Sequence, residues 1–96
     1  MNMGRTIKEL RRVRGMNQQQ LADSVPLSMT YLSLIEGNKR EPSLATLRSI
    51  CDVLGVPLPI VFFLALDVDD VKKEKRPAFE QLSPALRAFL KTVFVE

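Results

Sequence analysis

The chain has 96 residues, 46% of them hydrophobic and 26% charged, with a net charge of +3. That size and composition fit one domain with a modest core and exclude wholesale disorder. Histidine is absent and Cys51 is the single cysteine, which removes His-based acid–base catalysis, Cys–His nucleophiles and the usual zinc spacings.

Five short helical segments are expected between residues 6 and 66. The first is "TIKELRRVR", where Thr6 followed three residues later by Glu9 reads as a capping box. Ile7, Leu10 and Val13 or Arg14 share one stripe, Lys8, Arg11 and Arg12 lie beside it, and Gly15 ends the segment. The second, "MNQQQLADS", repeats the capping logic with Asn17 and Gln20, and Met16 with Leu21 occupies the positions of a hydrophobic staple. Ala22 allows another helix to approach closely, and Pro26 disfavours helical geometry at Val25. The third opens with Ser28 as N-cap and Leu27 paired with Leu32 as a second staple. Two caps eleven residues apart imply two short helices joined by a tight turn.

A fourth helix starts at Ser43 after Pro42, carries Leu44, Leu47, Ile50, Cys51 and Leu54 on one face, and ends at Gly55. The fifth, near 58–66, is almost wholly apolar. Residues 67–82 read as a charged connector, after which Ser83 and Pro84 look like an N-cap and first helical residue. Leu86, Phe89, Leu90, Val93 and Phe94 then form an amphipathic stripe over 83–96. The expected architecture is therefore all-α.

On a helical wheel, Leu32 and Ile35 form the buried stripe of the third helix, and Met29, Thr30, Ser33 and Leu34 point the other way. Small and medium side chains there let a helix backbone approach a surface, and an α-helix fits the DNA major groove. Hydroxyls can exchange hydrogen bonds with base edges and apolar side chains can touch the thymine methyl. Asn17, Gln18 and the Tyr31 hydroxyl are candidate phosphate ligands, as are Lys39 and Arg40 just past the helix. Residues 1–50 hold eight Lys/Arg against four Asp/Glu, an asymmetry that permits a polyanion-binding face.

The stretches "IKELRRVRGMNQQQLAD" and "LSMTYLSLIEGNKREPSLATLRSICDVLGV" resemble the Xre/Cro phage-repressor family of helix-turn-helix DNA-binding transcriptional regulators. The shared pattern is a Gln-x-x-Leu-Ala second helix, a Ser-x-x-Tyr-Leu-Ser-x-Ile-Glu recognition helix, a basic turn and a Pro-Ser-Leu start. It spans roughly two thirds of the chain. The resemblance implies a five-helix lambda-repressor-like domain over 1–66, with a C-terminal amphipathic helix outside it. It also implies that Gln18 touches phosphate, that Ser28, Met29, Thr30 and Leu34 face bases, and that Arg11 and Glu36 form an internal salt bridge. Pro26 stands where the family usually has glycine, and Asn38 follows Gly37 where the family commonly has glycine at 38.

The expected function is sequence-specific binding of double-stranded DNA by a dimeric regulator. Phe62, Phe63, Leu86, Phe89, Leu90, Val93 and Phe94 are the candidate dimer interface, since one module buries too little surface for strong affinity. The alternative is an antitoxin or protein-binding adaptor that uses the same module for protein partners. An enzyme is not expected, nor are a cofactor or metal: Asp67, Asp69 and Asp70 lack the spacing and partners of a cation site. The opening "MNMGRTIKEL" has no apolar secretion core, and the longest apolar run, at 56–66, is about half of the ~20 residues that span a membrane. With no disulfide partner for Cys51, a reducing, cytoplasmic setting is expected.

Overall fold

The computed structural model describes residues 1–96 and contains six α-helices and no strand. They are α1 (Met3–Val13), α2 (Gln18–Ser24), α3 (Met29–Glu36), α4 (Leu44–Leu54), α5 (Leu58–Ala65) and α6 (Arg76–Phe94). No single helix is long and apolar enough to cross a membrane.

Local chemistry accounts for most of the boundaries. Asn17 and Gln20 form a reciprocal capping box at α2, Ser28 accepts from the Tyr31 N–H at α3, and Ser43 accepts from the Thr46 N–H at α4. Both staples form, with Leu21 and Leu32 fully buried and Met16 and Leu27 packed on the same core. Between α2 and α3, Val25 keeps helical angles despite the proline that follows, and the Val25–Pro26 peptide bond is cis. The Leu27 N–H donates to the Ala22 carbonyl at 2.6 Å, so the turn closes over Val25 and Pro26. Gly55 closes α4 at φ +70, and Asn38 adopts φ +57 after α3, the left-handed geometry that asparagine tolerates best after glycine.

One core joins all six helices through Ile7 and Leu10, Leu21 and Ala22, Leu32 and Ile35, Leu47, Ile50, Cys51 and Leu54, Val61 and Leu64, and Leu90. Burial pushes the Cys51 thiol up to about 11, helped by the nearby Asp52 carboxylate.

The first helix begins earlier than expected. Asn2, not Thr6, is its cap and accepts from the Arg5 N–H; the Thr6 hydroxyl instead donates to the Asn2 carbonyl at 2.9 Å, and Glu9 pairs with Arg5. At its other end Val13 is exposed, and Arg14 donates to the Leu54 and Val95 carbonyls at 2.7 and 2.6 Å. Leu44, expected on the core face, is 59% exposed because it sits in the first turn of α4, beyond the edge of the core.

The C-terminal helix differs most. It starts at Arg76, not at Ser83, so part of the expected connector is helical and the rest holds two single 3₁₀ turns at Val68–Asp70 and Lys73–Lys75. Pro77 occupies the first turn, where a missing N–H costs nothing, and Pro84 lies inside the helix. The helix folds back on its own chain. Leu90 and Val95 are buried in the core, Phe94 packs against it, and Arg87 donates to the Leu64 carbonyl at 2.6 Å and to that of Leu66.

Candidate nucleic-acid interface

The third helix is clamped from behind. Leu32 and Ile35 are sealed in the core, and Glu36 meets Arg11 in a bidentate pair, Nε to Oε2 at 2.8 Å and Nη2 to Oε1 at 2.9 Å. Arg11 Nη1 donates to the Met16 carbonyl at 2.8 Å, and the Gln18 amide donates to Glu36 Oε1 at 3.2 Å. One carboxylate thus ties the last turn of α1, the entry to α2 and the end of α3 together, which fixes the angle between the two helices of the turn. No buried side-chain polar atom lacks a partner.

The opposite side of α3 is open. Met29, Thr30, Ser33 and Leu34 are all exposed, as is Ser28 at the start of the helix. Tyr31 lies at the flank, half-buried against the core, with the Arg40 guanidinium 6.0 Å from its ring centroid. The Lys39 and Arg40 N–H groups both donate to the Leu34 carbonyl, at 2.8 and 3.2 Å, folding the basic turn back against the end of α3. Asn17 and Gln18 stand at the start of α2; the Asn17 oxygen is used by the cap, and one Gln18 amide hydrogen by Glu36.

A family model described as helix-turn-helix matches residues 7–61. The chain belongs to that family, of the Xre type. Among its relatives in the family, the immunity repressor protein of Bacillus phage phi105 is 38% identical over 61 residues, covering 64% of this chain and 42% of the relative. The transcriptional regulator ClgR of Mycobacterium tuberculosis is 36% identical over 59 residues, covering 62% of this chain and 53% of its own. The chain thus spans about half the length of these two relatives. The control protein C.MunI of a Mycoplasma species is 35% identical over 72 residues, covering 74% of this chain and 89% of the relative. The fold is shared with the crystal structure of ClgR, the clp gene regulator of Corynebacterium glutamicum, at TM-score 0.66 and 23% identity, over 99% of this chain and 93% of that one.

Of the apolar residues expected to meet a second subunit, the structure separates two groups. Leu90 belongs to the chain's own core, and Phe62 and Phe94 are half-buried against it. Phe63, Leu86, Phe89 and Val93 remain exposed, and Leu82, one turn before Leu86, extends their stripe. The inward turn of Leu90 has a simple cause: one face of α6 must cover Val61 and Leu64, and the Arg87 bonds to the end of α5 set which face that is.

Sequence reasoning missed three residues that hold α3 from its far end. Gly4 is buried in the first turn of α1, and its N–H donates to Asn38 Oδ1 at 3.0 Å. Asn38 Nδ2 in turn donates to Asn2 Oδ1 at 2.8 Å. The available signal was Asn38 following Gly37 and Asn2 two residues before Gly4, but no local pattern joins positions 36 residues apart.

Proposed function

We propose that this chain binds double-stranded DNA in a sequence-specific manner, with α3 in the major groove, and acts as a dimeric transcription regulator. The observation that carries this reading is the two-sidedness of α3: Leu32, Ile35 and Glu36 buried behind, Met29, Thr30, Ser33 and Leu34 exposed in front. In this arrangement Thr30 and Ser33 exchange hydrogen bonds with base edges, while Met29 and Leu34 meet thymine methyls. Lys39 and Arg40 neutralise phosphates, and Asn17, the free amide hydrogen of Gln18 and the Tyr31 hydroxyl supply further backbone contacts that set register. The reading face has no Arg, Asn or Gln, so bidentate base recognition is absent from it. Shape and deformability of the site therefore contribute a larger share of discrimination.

Two copies are joined through Phe63, Leu86, Phe89 and Val93, with Leu82. These five are at least 48% exposed in the single chain, and self-association buries them while doubling the DNA contact area. Two recognition helices then meet half-sites about one helical turn apart. Relatives named as regulators and repressors support a role in transcription, not catalysis, and a DNA target is consistent with the cytoplasmic setting expected from the sequence. Selection of bound duplexes from a random library tests the reading. Enrichment of a palindromic site is expected, and a pool no tighter than random DNA refutes it.

A further inference from the structure

We infer that Asn38 is a positioning residue for DNA contact: held at both ends of its amide by the first turn of α1, it fixes the Lys39–Arg40 segment against the end of the recognition helix. The inference rests on the DNA-binding reading given above.

Asn38 is where the chain leaves α3, at φ +57. A glycine would satisfy that backbone angle at least as well, so the turn alone does not call for this side chain. What the side chain adds is two hydrogen bonds across the fold, from the Gly4 N–H at 3.0 Å and to Asn2 Oδ1 at 2.8 Å. Asn2 is itself anchored: its oxygen accepts from the Arg5 N–H at 3.1 Å, and its own N–H donates to the Ala65 carbonyl at 2.7 Å. The grip therefore runs from the end of α5 through the cap of α1 to the exit of α3.

The contact is also sterically specific. A Cβ on Gly4 would stand 2.4 Å from the Ile35 carbonyl oxygen and 2.7 Å from both Asn38 Oδ1 and the Glu36 carbonyl oxygen. Only a residue without a side chain lets the start of α1 rest on the last turn of α3. The start of α1 also lies against the carbonyl end of α3, a favourable dipole arrangement.

The next two residues carry the cations. With Asn38 held, the Lys39 and Arg40 N–H groups bond back to Leu34, and the Arg40 side chain leans over Tyr31. A basic turn already ordered in the free protein loses less entropy when it meets phosphate. This matters most for a reader whose base-facing residues offer no bidentate donors, because backbone contacts then set both affinity and register.

The test measures affinity for a library-selected duplex at several salt concentrations, using the full chain, N38G, K39A/R40A and N38G/K39A/R40A. Glycine keeps the left-handed turn, so N38G should stay folded at the assay temperature, though losing the two Asn38 bonds should lower its melting temperature by several degrees or more. It should bind roughly tenfold more weakly and reduce the slope of log affinity against log salt by about one. In the K39A/R40A background the same change should cost less than about twofold, because the groups it positions are gone. N2S retains a cap for Arg5 but is too short to reach Asn38, and should reproduce part of the effect. Faster amide exchange at Lys39 and Arg40, with α4 and α5 unchanged, is expected in N38G. An equal loss in both backgrounds, or an unchanged salt slope, overturns the inference while leaving DNA binding intact. A parent chain that binds the selected duplex no better than random DNA overturns both.

Discussion

Replacing Arg11 with methionine probes the clamp behind the recognition helix. The side chains of Arg11 and Glu36 are 8% and 2% exposed, so the pair is buried and solvent screening gives little relief. Without Arg11, the carboxylate keeps only the 3.2 Å bond from Gln18, and the Met16 carbonyl loses its partner. Removing one partner of a buried pair costs about 3–5 kcal/mol. A domain of this length is held by roughly 5–14 kcal/mol in total, at about 0.05–0.15 kcal/mol per residue. At about 4–8 °C per kcal/mol, the melting temperature should fall by about 12 °C or more. The double variant R11M/E36L removes both charges and should recover much of the loss, because a buried pair replaced by apolar groups is often close to neutral. Urea and thermal denaturation of the four proteins give the coupling directly. A cost under 1 kcal/mol for R11M, or a double variant as costly as the sum of the singles, would refute the account of how α3 is held.

Other perturbations separate folding from reading. Thr30→Asp places a negative charge on the exposed side of α3; it should abolish binding to a selected duplex at 0.15 M salt with a melting temperature within a few degrees of the parent, and retained binding would remove α3 from the groove. Phe89→Glu should convert a dimer to a monomer in sedimentation without unfolding it, since Phe89 is 59% exposed in the single chain, and an unchanged oligomeric state would show that α6 does not join the copies. Gly4→Ala should destabilise by about 1–3 kcal/mol, because the Cβ meets backbone oxygens that cannot move cheaply; an unchanged urea midpoint would argue against close docking of α1 on α3. Cys51 holds its proton about two units higher than an unfolded thiol, from 9.0 to about 11. Its contribution to stability is thus complete below pH 9 and lost as the pH rises through 11. At pH 8 the native thiol should react with iodoacetamide about 100-fold more slowly than the unfolded one, from thiolate fraction alone; equal rates would place it at the surface.

Where a structural feature is decided by neighbours in sequence, it could be read from sequence. The caps at Asn17, Ser28 and Ser43, the staples at Met16–Leu21 and Leu27–Leu32, and the stop at Gly55 each depend on residues within one or two turns. The exposed side of α3 followed from helical periodicity alone, since Leu32 and Ile35 fix which way the helix faces. The Arg11–Glu36 pair was available only through family resemblance, because no periodicity joins residues 25 apart. The grip on Asn38 was not visible even so: its partners, Asn2 and Gly4, precede the stretch that carried the resemblance.

The misread starts of α1 and α6 share another cause. Thr6-x-x-Glu9 and Ser83-Pro84 are both sound start signals, yet each lies inside a longer helix whose true start is set elsewhere. For α1 it is Asn2, placed by its bond to the end of α5; for α6 it is the first-turn Pro77. Leu90 shows the same limit from the other direction. Its position on an amphipathic stripe was plain, but whether the stripe meets the same chain or a second one depends on the path of residues 66–76. The Arg87 bonds to Leu64 and Leu66 resolve that for the inner face of α6.

The central claim is that the open side of α3 reads DNA sequence, and competition binding tests it most directly. A duplex selected from a random library is titrated at 0.15 M salt against the same length of scrambled duplex, with the parent chain and Thr30→Asp in parallel. The account predicts a preference of about 10³-fold or more for the selected duplex, lost in Thr30→Asp. Equal affinity for selected and scrambled duplexes in the parent chain would contradict it.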